Sequence, residues 1–468
     1  MSSTAAAPRS PAAPLRLPRV SQAAFLRLFL SGLRGDFAPW RDAVRRYPQG
    51  IETRIVRQRC ILMNEPDGIE EILVRNHKYY HRRTRSTPLK VYTGQSVLTL
   101  SGDAHLRQRR LIQPAFHKSR IDAYGDAMAA IGEGFASRWR DGIMVDIHQE
   151  MMEVTAAIIT KTMFSSDIEE DVRIVGHAID FLLSHAGRYV IPMLGNVLDR
   201  MPLKSTRRIK ESLAQLDSVI YRIIRDHRAA GDASDDVLSM LMAAQYDDGS
   251  TMTDRQLRDE SMTLFLAGHE TISNALSWTF YLLSRHPEIA ERLREEVDSV
   301  LDNGRTPNVD DIPRLDYVRR VLTESMRLYP PVPGVDREAV ASNEILGIDI
   351  NAGDLLLISP LITHYDPRWY PEPERFDPDR WLPERAESVP RYAYLPFGGG
   401  ARRCIGERFA WMEGILLLAI FSRDWHFELA PDARVRTQLN ITLRPIHGVQ
   451  MVLRGRRNGE RRRIRGHT

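Results

Sequence analysis

The segment Phe397-Gly-Gly-Gly-Ala-Arg-Arg-Cys404-Ile-Gly406 sets a thiol between a glycine turn and an apolar helix expected over residues 404–421. Glycines at Gly398 and Gly400 permit a tight turn and let the backbone approach a flat ligand closely. At the start of a helix the sulfur meets the positive end of the helix dipole, with backbone N–H groups and two arginines beside it. Such surroundings favour the thiolate, the form that binds metal. An isolated Gly-Gly-Gly…Cys is more simply a buried cysteine beside a turn. The fixed spacing of Phe397, Gly400, Arg402, Cys404 and Gly406 argues for a metal ligand.

Three further groups have spacings that bring side chains together. Ala267-Gly-His-Glu270-Thr271 lies in an apolar helix, so Ala267, Gly268 and Thr271 share a face. An interior glycine costs about 1 kcal/mol relative to alanine, so Gly268 serves either close helix packing or room for a ligand. A zinc-protease reading of His269-Glu270 fails, because Ser273 stands where the second histidine is needed. Glu324 and Arg327, flanked by Val321, Leu322, Met326 and Leu328, form an ion pair on a buried helix face, a structural pattern. His105 and Arg109, four apart, also share a face. Arg107 and Arg110 belong to a solvated side of the same helix.

The elements that must position these groups follow from the rest of the chain. Branched apolar runs at residues 51–56 and 60–63 read as strands, with Pro66-Asp67-Gly68 as a turn. Residues 103–300 carry mostly helical spacing, broken near Ser119, residues 165–166, 195–202, 231–233 and 247–250. A helix over 317–329 stops against Pro330 and Pro331. Strand-like runs at 344–350 and 355–359 follow. Many helices, a small β part and no βαβ alternation argue against a dinucleotide-binding sheet.

Lysine and arginine (65) exceed aspartate and glutamate (61) by little among 468 residues. The basic end after residue 454 reads as a solvated tail, and no nucleic-acid partner is expected. Two cysteines, Cys60 and Cys404, exclude a disulfide framework, a four-cysteine zinc site and an iron–sulfur cluster. That usage suits a reducing compartment, and the chain is expected to be cytoplasmic. The apolar run 23–33 is short and carries Arg27, so no transmembrane anchor is expected. The chain divides into a disordered segment 1–20, one catalytic domain 21–454, and a disordered tail 455–468.

With these residues in place, the chain resembles the cytochrome P-450 family over nearly its whole length. The haem-binding pattern Phe-x-x-Gly-x-Arg-x-Cys-x-Gly is met at every fixed position from Phe397 to Gly406. The resemblance implies one mainly α domain with a small β region (α+β) enclosing one haem b, iron protoporphyrin IX. It makes Cys404 the iron ligand, shielded by Phe397, and gives Arg402, His105, Arg109 and Arg337 to the haem propionates. Glu270 and Thr271 become the proton relay of oxygen activation. Glu324, Arg327 and a second arginine become a brace, with Arg380 preferred to Arg375 because Phe376-Asp-Pro378-Asp-Arg380-Trp381 fits the wider pattern. Substrate contacts fall at Val91, Leu98, Phe265, Ala267, Gly268, Val332, Val335 and Ile441. Ala267 stands where one branch carries an ester-forming glutamate, so that covalent link cannot form. His364 reads as a packing residue.

The reaction so implied inserts one oxygen atom of O2 into a lipophilic fatty acid, terpene or steroid-like molecule, the other oxygen leaving as water. No flavin or iron–sulfur module is present, so electrons come from a ferredoxin or flavodoxin with an NAD(P)H-dependent reductase. That partner is expected on the face around Arg402, Arg403 and Arg408, with the enzyme a monomer. A haem-thiolate peroxygenase or isomerase, and a non-catalytic haem-binding sensor, are the rival readings. Retention of Glu270 and Thr271 counts against the first, and absence of an output domain against the second.

Overall fold

Branched apolar runs near both ends of the chain build a small sheet, and the helical stretches between them build the body that surrounds the site. The computed structural model describes residues 15–55, 57–83, 88–165, 176, 178–179, 181–182, 185, 198, 200–201, 203–231 and 236–456. The two runs expected as strands are β1 (Gly50–Ile55) and β2 (Gln58–Met63), and they pair as an antiparallel hairpin. β3 (Tyr80–His81), β5 (Val335–Ala339) and β8 (Leu355–Ile358) complete a sheet ordered β1-β2-β8-β5-β3, in which only β2 and β8 run parallel.

Two local expectations are corrected. Pro66-Asp67-Gly68 does not turn but opens helix α2 (Pro66–Glu70), because proline at the first helical position loses an N–H that has no partner there anyway. The run 344–350 is not one strand but the hairpin β6 (Asn343–Ile345) and β7 (Ile348–Ile350). Leu346 and Gly347 take φ of 49° and 83° between the two strands, the left-handed pair a tight hairpin requires.

The longest helix, α8 (Asp254–Arg285), starts from a capping box of Thr253 and Gln256 and stops at His286, before Pro287. It is buried along most of its length and packs on α5 (Ile147–Phe164), α6 (Lys204–Ala230), α10 (Asp316–Leu328) and α11 (Glu407–Asp424). Gly414 lets α11 close on its neighbours: a Cβ there would stand 2.7 Å from Leu322 on α10 and 3.2 Å from Ile272 on α8. The apolar core runs through these helices, including Leu276, Phe280, Leu416 and Phe421. Burying each such side chain is worth roughly 1.5–3 kcal/mol.

The body begins before residue 21 and extends past 454. The Leu15 amide donates to Leu346 O, and the Val20 amide to Glu52 O. Strand β12 (Gln450–Gly455) lies between β4 (Met144–Asp146) and β9 (Trp425–Leu429), and Arg456 pairs with Asp298 at 2.6 Å. The expected domain edges at 21 and 454 therefore fall inside bonded segments. The remainder of both expected disordered segments, 1–14 and 457–468, lies outside the described residues, as does most of the expected break at 195–202. Helix α1 (Gln22–Leu33) turns Leu26 and Leu30 outward while Phe25 packs edge-on to Trp40. Among the described residues no helix is long and apolar enough to cross a membrane.

Where α6 ends and α7 (Val237–Ala243) begins, His227 Nε2 lies 2.7 Å from Asp236 Oδ2, and Asp236 also accepts from the Ser239 amide. Burial raises the Asp236 carboxyl, but hydrogen bonds from His227, Ser239 and Ser165 outweigh it and hold the group at about 2. The same bond raises the His227 imidazolium against its own burial. The Asp236 contribution is complete above its unfolded value of 3.8 and is lost as pH falls towards 2. The His227 contribution is complete below 6.5 and fades as pH rises through the raised folded value. Asp236→Asn is therefore expected to lower the melting temperature most between those two unfolded values, with the deficit shrinking at alkaline pH. A pH-independent deficit in thermal melts would remove the ionic pair from the account.

Candidate active site

The cysteine loop is folded by its glycines. Gly398 and Gly400 take φ of 67° and 63°, a region that side chains disfavour. A Cβ on Gly400 would meet Leu73 O at 1.8 Å, and one on Gly399 would meet Tyr392 at 2.7 Å. The turn closes when the Cys404 amide donates to Phe397 O at 2.9 Å, and the Phe397 ring leans on Trp411. Helix α11 begins only at Glu407, so Cys404 precedes it by a short turn and does not open it as expected. Protein atoms surround the Cys404 side chain, which nonetheless keeps access to solvent. Burial pushes its thiol up to about 11, against the pull of the Gly406 amide, Arg109 and Arg403.

Five donors converge beside that loop. Arg402 reaches Leu100 O and, at 3.2 Å, Ser101 Oγ. Burial, then Arg337 and Arg82, lowers its guanidinium to about 9. Arg337, almost wholly buried on β5, is held at about 10 by burial and Arg82. His105 is buried on α3 (Gly102–Ile112), where burial and the charges of Arg402, Arg109 and Arg337 lower it to about 4. Burial also lowers Arg109. The acid that opposes the cluster is Asp336. Packed cations that lower one another in this way call for an anion between them.

Arg82 escaped the sequence reading. Its Nη1 donates to Leu98 O at 2.8 Å, and its buried Nε meets no partner. The pairing of β3 with β5 sets Tyr80 opposite Ala339 and His81 opposite Glu338. Arg82 follows directly after these paired residues, and its charge acts on Arg337 of β5. The doublet Arg82-Arg83 carries no sign of which arginine turns inward; only the strand pairing decides it.

On α8, Ala267 is exposed midway along a helix whose neighbours are buried, and Thr271 is half-buried with Oγ1 donating to Ala267 O at 2.6 Å. Gly268 departs from the expected pocket face: a Cβ there would stand 2.5 Å from Ile159 of α5. Its smallness serves helix packing. Glu270 is buried on yet another side, accepting from Thr442 Oγ1 at 2.8 Å and Asn274 Nδ2 at 3.1 Å. Phe265 stacks on Phe164 and lines a narrow apolar crevice with Thr160, Leu216, Val219 and Met262. Leu98, Val332, Val335 and Ile441 are partly buried and Val91 is exposed.

Arg327 grips Glu324 through two bonds of 2.8 Å, both side chains fully buried. Arg380 Nε joins at 3.2 Å, and Trp381 Nε1 and the Asp377 amide also donate to Glu324. Arg375 instead faces outward and pairs with Glu372. His364 accepts from the Leu395 amide through Nε2 while Nδ1 reaches Arg327 O, so it packs the brace against the cysteine loop. The expected docking face is smaller than its three arginines: Arg402 points inward and Arg403 is taken up by Glu407. Arg408 stays exposed, 4.0 Å from Asp122.

A profile of the Cytochrome P-450 family matches residues 39–452. Cyclooctatin synthase of Streptomyces melanosporofaciens is 38% identical over 401 residues, covering 85% of this chain and 87% of its own. Pentalenene oxygenase of Streptomyces avermitilis is 36% identical over 344 residues, covering 73% and 76%. Cyclooctat-9-en-7-ol 5-monooxygenase of Streptomyces melanosporofaciens is 33% identical over 383 residues, covering 81% and 83%. Among solved structures, retinoic acid-bound cyanobacterial CYP120A1 superposes with a TM-score of 0.81 at 24% identity, over 95% of this chain and all of that one.

Proposed function

The chain belongs to the cytochrome P-450 family, a haem-thiolate monooxygenase by that membership, and from this premise we propose that it hydroxylates or epoxidises a terpene-like, largely hydrocarbon molecule. Support for the substrate class comes from relatives named for oxygenating pentalenene and cyclooctat-9-en-7-ol. The observation that carries the site assignment is the crowding of Arg82, Arg337, Arg402, Arg109 and His105 beside an accessible cysteine. A flat macrocycle with two carboxylates suits this set: the sulfur takes its metal and the cations take its propionates, Arg402 and Arg337 as planar forks.

With Ala267 unable to form an ester, the group is proposed to be haem b held without a covalent link to α8. When bound, the iron supplies oxygen activation, and coordination deprotonates the cysteine outright. The protein's part is to bind, orient and deliver protons. Cys404 would hold the iron through its sulfur, kept in register by its amide bond to Phe397 O and by the glycine turn. Thr271 Oγ1 passes a proton towards the reacting oxygen and is recharged from Glu270. Electrons are proposed to arrive from a ferredoxin-type partner at the cysteine-loop face, where Arg408 is exposed and Arg403 is exposed but paired with Glu407.

The test supplies a ferredoxin, its NAD(P)H-dependent reductase and labelled O2 to the enzyme with a panel of polycyclic alkenes. One labelled oxygen atom per product molecule is expected; label-free product, or no turnover with spectral binding intact, would overturn the proposal. In Thr271→Ala, NAD(P)H consumption is expected to continue while hydrogen peroxide replaces most of the product. Unchanged coupling of NAD(P)H to product would remove Thr271 from the proton path.

A further inference from the structure

Residues 94–101 lie between two sets of charged groups. Gly94 takes φ of 57°, and a Cβ there would meet Asp259 Oδ2 at 2.2 Å, so glycine lets this segment close on α8. The Gln95 amide donates to Asp259 Oδ2 at 2.9 Å, and the Val97 amide donates to Glu260 Oε1 at 2.8 Å. Both acids are buried. Arg258, the residue before them, donates to Asp259 at 2.8 Å, to Asp217 of α6 at 2.6 Å and to Tyr92 O at 3.2 Å. The triplet Arg258-Asp259-Glu260 thus ties α6 and α8 to one end of the segment.

The other end serves the arginine cluster. Arg82 donates to Leu98 O at 2.8 Å, and Arg402 donates to Leu100 O and, at 3.2 Å, to Ser101 Oγ. Between the two ends the chain is a turn bonded across itself. Thr99 Oγ1 donates to Gly94 O at 2.7 Å and accepts from the Ser96 amide at 3.0 Å, while the Thr99 and Leu100 amides both donate to Ser96 O. Such a turn moves as a body, so the carbonyls at 98 and 100 follow the place where residues 95 and 97 are held. Arg82 and Arg402 are long side chains whose charges repel. Fixing them before an anion arrives removes an ordering cost from its binding.

Resting on the reading that this cluster takes the haem propionates, we infer that Asp259 and Glu260 are positioning residues for it: they hold the 94–101 turn, whose Leu98 and Leu100 carbonyls set Arg82 and Arg402 in place. The two acids act through the backbone of the turn, and the long helix that carries Thr271 thereby also sets how firmly the cofactor is kept.

The test measures haem transfer from the loaded protein to a haem-free globin, together with hydrogen exchange of the 94–101 amides and resonance Raman bands of the haem propionates. Glu260→Met removes the acceptor at similar size, and Glu260→Gln keeps it. Glu260→Met is expected to speed haem loss several-fold, to speed exchange in the turn and to shift the propionate bands, while the reduced carbon-monoxide band stays red-shifted. Glu260→Gln is expected to restore all three. Asp259→Ala should act in the same direction through Gln95, which keeps the inference testable if Glu260→Met folds poorly. Added to Arg82→Met, Glu260→Met should speed haem loss less than it does alone, because one of the arginines it sets is gone. Asp236→Asn controls for lost stability. If Asp236→Asn at a matched melting temperature speeds haem loss equally, or if the Glu260→Met and Arg82→Met effects add in full, the inference falls and the propionate reading stands. If Arg82→Met and Arg402→Met leave haem loss and the propionate bands unchanged, the propionate reading fails and the inference with it.

Discussion

Cys404→Ser is expected to abolish the strongly red-shifted Soret band of the reduced, carbon-monoxide-bound protein and to reduce oxygenation to background. The chain holds one other cysteine, and it cannot replace that sulfur. The other thiol, Cys60, is fully buried on β2 opposite Thr53 and Leu355, and burial pushes its pKa up to about 12. Serine keeps the size and the backbone bond from residue 404 to Phe397 O, and the exposed side chain is no part of the apolar core. The variant should therefore fold, with unchanged far-ultraviolet dichroism, while losing the thiolate donor that favours O–O cleavage. An unshifted band in the wild-type protein, or a red-shifted band surviving in Cys404→Ser, would sink the ligand assignment.

Glu324→Gln is expected to cost about 3–5 kcal/mol, because it strands Arg327 and Arg380 as buried cations without their counter-charge. The two guanidiniums retain carbonyl partners at His364, Pro373 and Glu372, but none of these carries charge. Against a typical total of roughly 5–15 kcal/mol, such a loss should show as a large drop in urea midpoint and in haem-loaded protein recovered. Arg375→Gln provides the contrast. Its side chain is exposed and pairs only with exposed Glu372 at 3.2 Å, so a change within about 0.5 kcal/mol is expected. Equal losses in the two variants would mean that the brace is not electrostatic.

The parts of the site legible in the sequence are those whose geometry is set within a few residues. Phe397 through Cys404 is one turn, and Glu324 with Arg327 is one turn of helix, so spacing alone places their side chains together. The choice of Arg380 over Arg375 needed the flanking Pro378 and Trp381, and the ion pair lies where that context puts it. What spacing could not supply is register between distant strands. Arg82 comes to act on Arg337 through the β3–β5 pairing, and Thr442 meets Glu270 across 172 positions. Gly268 shows the opposite limit: a helical face can be read, but the partner it turns to, Ile159 of α5, comes from tertiary packing.

The parallel pairing of β2 with β8 has a consequence for how the chain is made. Arg59 and Asp354, which join these strands, are 295 positions apart. At a ribosomal rate of about 5–20 residues per second, the β1–β2 hairpin waits on the order of 15–60 s for its neighbour to emerge. During that interval β2 offers an open backbone edge flanked by Ile61 and Met63, the kind of edge that recruits other chains. The central sheet is thus among the last parts of the nascent protein to close, and it closes before the cysteine loop has left the ribosome. Faster translation or a chaperone that shields early edges should raise the yield of intact protein without touching any residue of the site.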